Sequence, residues 1–94
     1  MLTNESRARQ IQESIREILL HDWDPIGVQD VPQAHDEYDS YIGGVYRLLA
    51  QGANEGEIIE HLWRIENDTI GLPTLDKTKL APVARKLRAL DVKL

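Results

Sequence analysis

With 94 residues and no cysteine, the chain has room for one hydrophobic core but not two, and it offers neither a disulfide framework nor a thiolate metal site. A formal net charge of −5 opposes general affinity for nucleic acid or anionic lipid, both of which require Lys and Arg against phosphates, and favours a basic partner. Apolar residues at 41% and charged residues at 29% suit a globular domain, and no apolar run is long enough for a membrane span or signal peptide, so a cytoplasmic protein is expected.

The first predicted element runs from about Asn4 to Leu20, where Ala8, Ile11, Ile15, Ile18 and Leu19 recur at helical spacing between Arg, Gln and Glu. Thr3 or Asn4 can cap it, and Pro25 with Gly27 prevents simple continuation beyond Asp24. A second helix is expected from about His35 to Gln51 on Tyr38, Tyr41, Ile42, Val45, Leu48 and Leu49, with Gly52 as its left-handed terminator. Gly43-Gly44 lies inside it. Each such glycine weakens a helix by roughly 1 kcal/mol relative to alanine, which implies close approach of a neighbouring backbone.

Asn54-Glu55-Gly56-Glu57 has the form of a capping box and opens a third helix. Ile58, Ile59, Leu62 and Ile65 face inward, Trp63 and His61 lie at the boundary, and the helix stops before Gly71-Leu72-Pro73. The last helix carries Leu80, Val83, Ala84, Leu87 and Leu90 on one stripe, with Thr78 as its cap, Asp76 as the earlier option, and Pro82 tolerated in the first turn. Residues 1–94 therefore read as a single all-α domain. It is expected to resemble a compact four-helix bundle with an irregular acidic connection between its first two helices.

Charge is unevenly spread along the chain. Residues 1–20 are neutral overall, 21–46 carry −6 with no Lys or Arg, 47–72 carry −3, and 73–94 carry +4. The acidic stretch from His21 to Asp39 begins with Trp23-Asp24-Pro25-Ile26-Gly27, which has a structural explanation. An Asp before Pro starts a turn, Pro25 fixes φ, Gly27 permits positive φ, and Trp23, Ile26 and Val28 can plug one end of the core. Asp36 can cap the second helix, and Glu37 and Asp39 benefit from its dipole. Capping does not account for Asp22, Asp30 or the lack of compensating cations.

The pair Trp23-Asp24-Pro25-Ile26-Gly27 and Asp36-Glu37-Tyr38-Asp39 resembles the WDPIG and DEYD motifs of a family of small, acidic, cysteine-free bacterial helical domains with no assigned activity. The similarity covers most of the chain, from the first helix through the third. It implies a small helical fold, and since related sequences occur among presumed immunity partners of bacterial toxins, it implies a role in protein binding.

The leading expectation is a non-enzymatic, immunity-type binding protein that presents Asp22, Asp30, Asp36, Glu37 and Asp39 to a basic protein, such as a toxin, with Tyr38 and Tyr41 adding contact area. The alternative from another class is a metal-dependent hydrolase using His21, Asp22, His35, Asp36 and Asp39, with Asp24 as a further candidate ligand. Its spacing is poor, because these residues crowd into one connection and one helix start. A third alternative is a homo-oligomer in which the acidic stretch meets the basic last helix of a second copy. No Gly-rich phosphate loop, Ser/His/Asp order or Cys nucleophile is present, so no catalytic residue, metal site or cofactor is assigned.

Overall fold

The computed structural model describes residues 4–25, 27–34, 36–71 and 76–93. The expected roles of Thr3, the Asn4 side chain, Ile26, His35 and residues 72 and 73 lie outside the described residues. The fold is all-α, with four α-helices and no strand among the described residues.

Helix α1 spans Asn4–Ile18 and continues through a π-helical turn, Leu19–Trp23. The wider turn rotates the apolar stripe so that Leu19, Leu20 and Trp23 all enter the core beside Ile11 and Ile15. A 3-10 turn, Pro32–Ala34, interrupts the connection, and α2 covers Asp39–Ala50. Gly52, with φ +76, ends the following turn as its position predicts.

The capping box forms as expected: the Asn54 side chain accepts from the Glu57 N–H at 2.8 Å, and Glu57 accepts from the Asn54 N–H at 3.2 Å. Helix α3, Glu55–Arg64, then runs into a second π-helical segment, Ile65–Ile70, which Gly71 terminates at φ +83. A 3-10 turn, Lys77–Leu80, leads into α4, Ala81–Arg88. Pro82 occupies the first turn of α4, where its missing N–H has no intrahelical partner. The cap before the 3-10 turn is Asp76 rather than Thr78, because the Asp76 carboxylate accepts from the Thr78 N–H at 3.0 Å.

Helix α1 packs against α2 and α4, and α3 packs against α4. Ile15, Leu19, Val45, Ile58, Leu62, Ala84 and Leu87 form the fully buried centre. Leu80, Val83, Ala84 and Leu87 realise the predicted stripe of the last helix.

Two expectations for α2 are corrected. The helix begins at Asp39, four residues beyond His35, and the Asp36 side chain does not cap it; residues 36–38 form successive turns instead. The glycine pair divides in function. A methyl on Gly44 would lie 3.2 Å from the His61 ring, whereas one on Gly43 would meet nothing within 4 Å. The close neighbour at Gly44 is thus an imidazole on α3 rather than a backbone.

Candidate functional site in the acidic connection

Asp24 organises the start of the connection. It adopts the left-handed conformation, φ 36 and ψ 59, which Asp tolerates better than most non-glycine residues. Its N–H donates to the Leu19 carbonyl at 2.9 Å and closes the π-helical turn. Its Oδ1 accepts from the Val28 N–H at 2.7 Å and from the Tyr38 hydroxyl at 2.8 Å, while Oδ2 accepts from the Gln29 N–H at 3.2 Å. Burial pushes the carboxyl pKa up, but the hydrogen bonds from Val28, Tyr38, Gln29 and Gly27 outweigh it and leave the pKa below the usual aspartate value.

Trp23 stands beside this hub at 7% exposure. Its ring centroid is 5.4 Å from that of Tyr38 and 6.0 Å from that of Tyr41, distances at which aromatic pairs attract. Its indole N–H donates to Glu66 Oε1 at 2.7 Å, and Glu66 is itself only 6% exposed. The two motifs are therefore physically joined: the Asp of one holds the Tyr of the other, and the Trp packs on both tyrosines. Gly27 has φ +68 at the point where the loop turns away from the hub, as predicted.

Tyr38 supplies no contact area, because it is 2% exposed and its hydroxyl is committed to Asp24. Tyr41 is half-buried in the same aromatic cluster. Both belong to the scaffold that holds the connection. The expectation that they form an outward-facing contact surface is corrected accordingly for Tyr38.

The acids also sort into different environments. Asp22 pairs with Lys86 of α4. Asp39 Oδ1 lies 3.1 Å from the Arg16 Nε, an ion pair whose N–H direction is off the line of a hydrogen bond. Asp30, Asp36 and Glu37 are exposed and make no ion pair among the described residues. Val31, between them, is 43% exposed, the large apolar side chain most open to solvent among those described.

The basic last segment does not form an isolated pole. Lys86 meets Asp22, Arg85 meets Glu55 at 2.7 Å, and Lys77 meets Glu60 at 2.8 Å while its ammonium sits 4.2 Å from the Trp63 ring centroid. Folding thus neutralises part of the charge asymmetry seen along the chain. Among the described residues, the exposed Asp30, Asp36 and Glu37 keep no ion pair, and they are the closest set in sequence of the exposed acids left so, the others being Glu5, Glu57, Asp68 and Asp76.

The candidate metal ligands point in different directions. His21 pairs with Glu17 at 3.1 Å, Asp22 with Lys86, Asp39 with Arg16, and Asp24 with the loop N–H groups. His35 lies outside the described residues. Among the described residues, no group of three His, Asp or Glu side chains is arranged to hold a metal ion.

Glu66 is the residue that sequence reasoning missed. The buried indole N–H of Trp23 requires an acceptor, and that requirement is legible in the sequence. Nothing in the sequence selects Glu66 among the 16 acidic residues, since it is 43 positions away and sits in a π-helical turn. No helix of the described residues is long and apolar enough to cross a membrane. Comparison with family models, with curated proteins and with solved structures gives no match for the chain.

Proposed function

We propose that the chain is a non-enzymatic binding protein that docks residues 30–37 onto a basic protein surface, in the manner of an immunity-type inhibitor on a toxin. One observation carries the reading: Asp30, Asp36 and Glu37 are exposed without ion partners among the described residues, on a segment whose start is fixed by the Asp24 hub. A connection held in place before binding loses less conformational freedom on docking than a loose one. The carboxylates of Asp30, Asp36 and Glu37 add long-range attraction and set orientation. Exposed Val31 adds an apolar point of contact within the charged rim.

Affinity capture from the native host tests the proposal, with the unmodified chain and the Asp30→Lys, Glu37→Lys double variant as parallel baits. The expected result is a basic protein retained by the unmodified bait, released by moderate salt and not retained by the variant. Retention that ignores both salt and charge reversal sinks the proposal.

A further inference from the structure

Gly43 costs helix stability, yet the fold makes no use of its missing side chain. It is exposed within α2, has no positive φ, and a methyl there would touch nothing within 4 Å. Its neighbour Gly44 has a reason in the fold, since the His61 ring occupies the space a methyl would claim. What the bare Gly43 backbone does is open a notch between α1 and α2. The apolar part has a volume of about 130 Å³ and is lined by Ala8, Gln12, Ile42, Gly43 and Tyr46. An apolar cavity of roughly 150 Å³ accepts a benzene ring, so this notch is of a size to take one leucine-like side chain.

The notch continues into a second depression of about 250 Å³, which shares Gln12, Ile42 and Gly43 and adds Glu13, Arg16 and Asp39. Arg16 is engaged there by Asp39 at 3.1 Å and by Glu13 at 3.9 Å. Asp39 opens α2, with the buried Tyr38 between it and Glu37, so the groove ends at the helix start that the acidic connection feeds into. A ligand lying along it would meet a hydrophobic socket at one end and, past the Arg16–Asp39 pair, the acidic connection at the other.

We propose that this groove is the apolar half of the docking surface: a basic partner segment inserts one aliphatic side chain into the Gly43 notch while its flanking Lys or Arg residues face Asp36 and Glu37. The proposal rests on the acidic docking reading and adds a specificity pocket to it. Charge brings the partner to the connection, and the notch selects which basic segment stays.

Two peptides, Lys-Lys-Gly-Leu-Gly-Lys-Lys and the same peptide with glycine in place of leucine, are titrated into the ¹⁵N-labelled full chain and followed by amide chemical shifts. Both should move resonances of residues 30–37. The leucine peptide alone should also move those of Gln12, Ile42 and Gly43, and it should bind about tenfold more tightly, as expected for partial burial of one leucine side chain. Gly43→Leu fills the notch from within; it should keep or raise Tm, abolish the tenfold difference and leave the shared component intact. Equal binding of the two peptides, or a tenfold difference that survives Gly43→Leu, overturns the notch while the acidic surface stands. If neither peptide moves residues 30–37, the acidic docking reading itself falls. Shifts at Gly43 that grow with protein concentration and no peptide overturn the proposal in favour of a second copy as the occupant.

Discussion

The two halves of the connection between α1 and α2 contain similar residue types and put them to opposite uses. In the first half, Trp23 and Asp24 satisfy the fold: an indole donates to a buried carboxylate, and a second carboxylate collects two backbone N–H groups and a tyrosine hydroxyl. In the second half, Asp30, Asp36 and Glu37 face solvent with no ion partner among the described residues. An aspartate's role is therefore set by what lies within 3 Å of it. The same side chain is a structural brace where donors converge and a free charge where none do.

Removing Trp23 should break the first half most severely. Trp23→Ala empties a largely buried site and leaves Glu66 without its 2.7 Å donor, so a loss of about 3–5 kcal/mol is expected in urea denaturation. Trp23→Phe refills much of the volume without restoring the hydrogen bond, and it should recover part of that loss. Near-neutrality of Trp23→Ala would show that the tryptophan is not the plug that the packing describes.

Asp24 comes next. Asp24→Ala removes the carboxylate that accepts from the Val28 and Gln29 N–H groups and the Tyr38 hydroxyl, and places alanine at φ 36. The expected cost is about 3 kcal/mol, and Asp24→Asn should cost about half of that, because asparagine tolerates the left-handed region and keeps one acceptor oxygen. The folded-state pKa of Asp24 lies below its unfolded value despite burial, owing to those donors. Its contribution is therefore complete above about pH 3.9 and is lost as pH falls through the lower folded value. Acid titration of the unmodified chain should show this loss, and Asp24→Asn should lack that component.

The sequence made the helices legible because their apolar spacing is regular and their stops are chemical: the Asn54 box, Gly52, Gly71 and Pro82 all act where pattern and turn chemistry place them. It also placed the turn at Asp24 to Gly27 correctly. The cross-links were not legible. Asp24 to Tyr38, Trp23 to Glu66 and Lys86 to Asp22 join residues 14, 43 and 64 positions apart, and local pattern carries no information at those separations. That Asp36 does not cap α2 has a related reason: the N-cap position is taken by Tyr38, buried and bonded to Asp24 from 14 positions away, and the first helical residue is Asp39.

The adjacent glycines repeat the contrast between anchored and open positions on a smaller scale. Gly43→Ala should stabilise α2 by about 0.5–1 kcal/mol, since the new methyl meets open space and alanine favours helix. Gly44→Ala should gain less, because the His61 ring must give way. Burial, followed by the nearby Arg64 charge, lowers the His61 pKa. As pH falls from about 6.5 through the lower folded value, the unfolded chain takes up a proton that the folded chain resists, so stability declines across that window. Melting curves at pH 8 and pH 5 should show the decline, and His61→Asn should flatten it.

The smallest effect on stability is expected where the proposed effect on binding is largest. Asp30→Asn and Glu37→Gln remove charges that no cation compensates among the described residues, so neither breaks an ion pair and each relieves some repulsion along an acidic segment. The unfolding free energy should move by no more than about 0.5 kcal/mol, as for most exposed substitutions. Peptide binding measured on the same samples should weaken and lose part of its salt dependence. If either substitution instead costs more than about 1 kcal/mol, that carboxylate is a second brace of the kind Asp24 provides, and the division of the connection into an anchored half and a presenting half moves further along the chain.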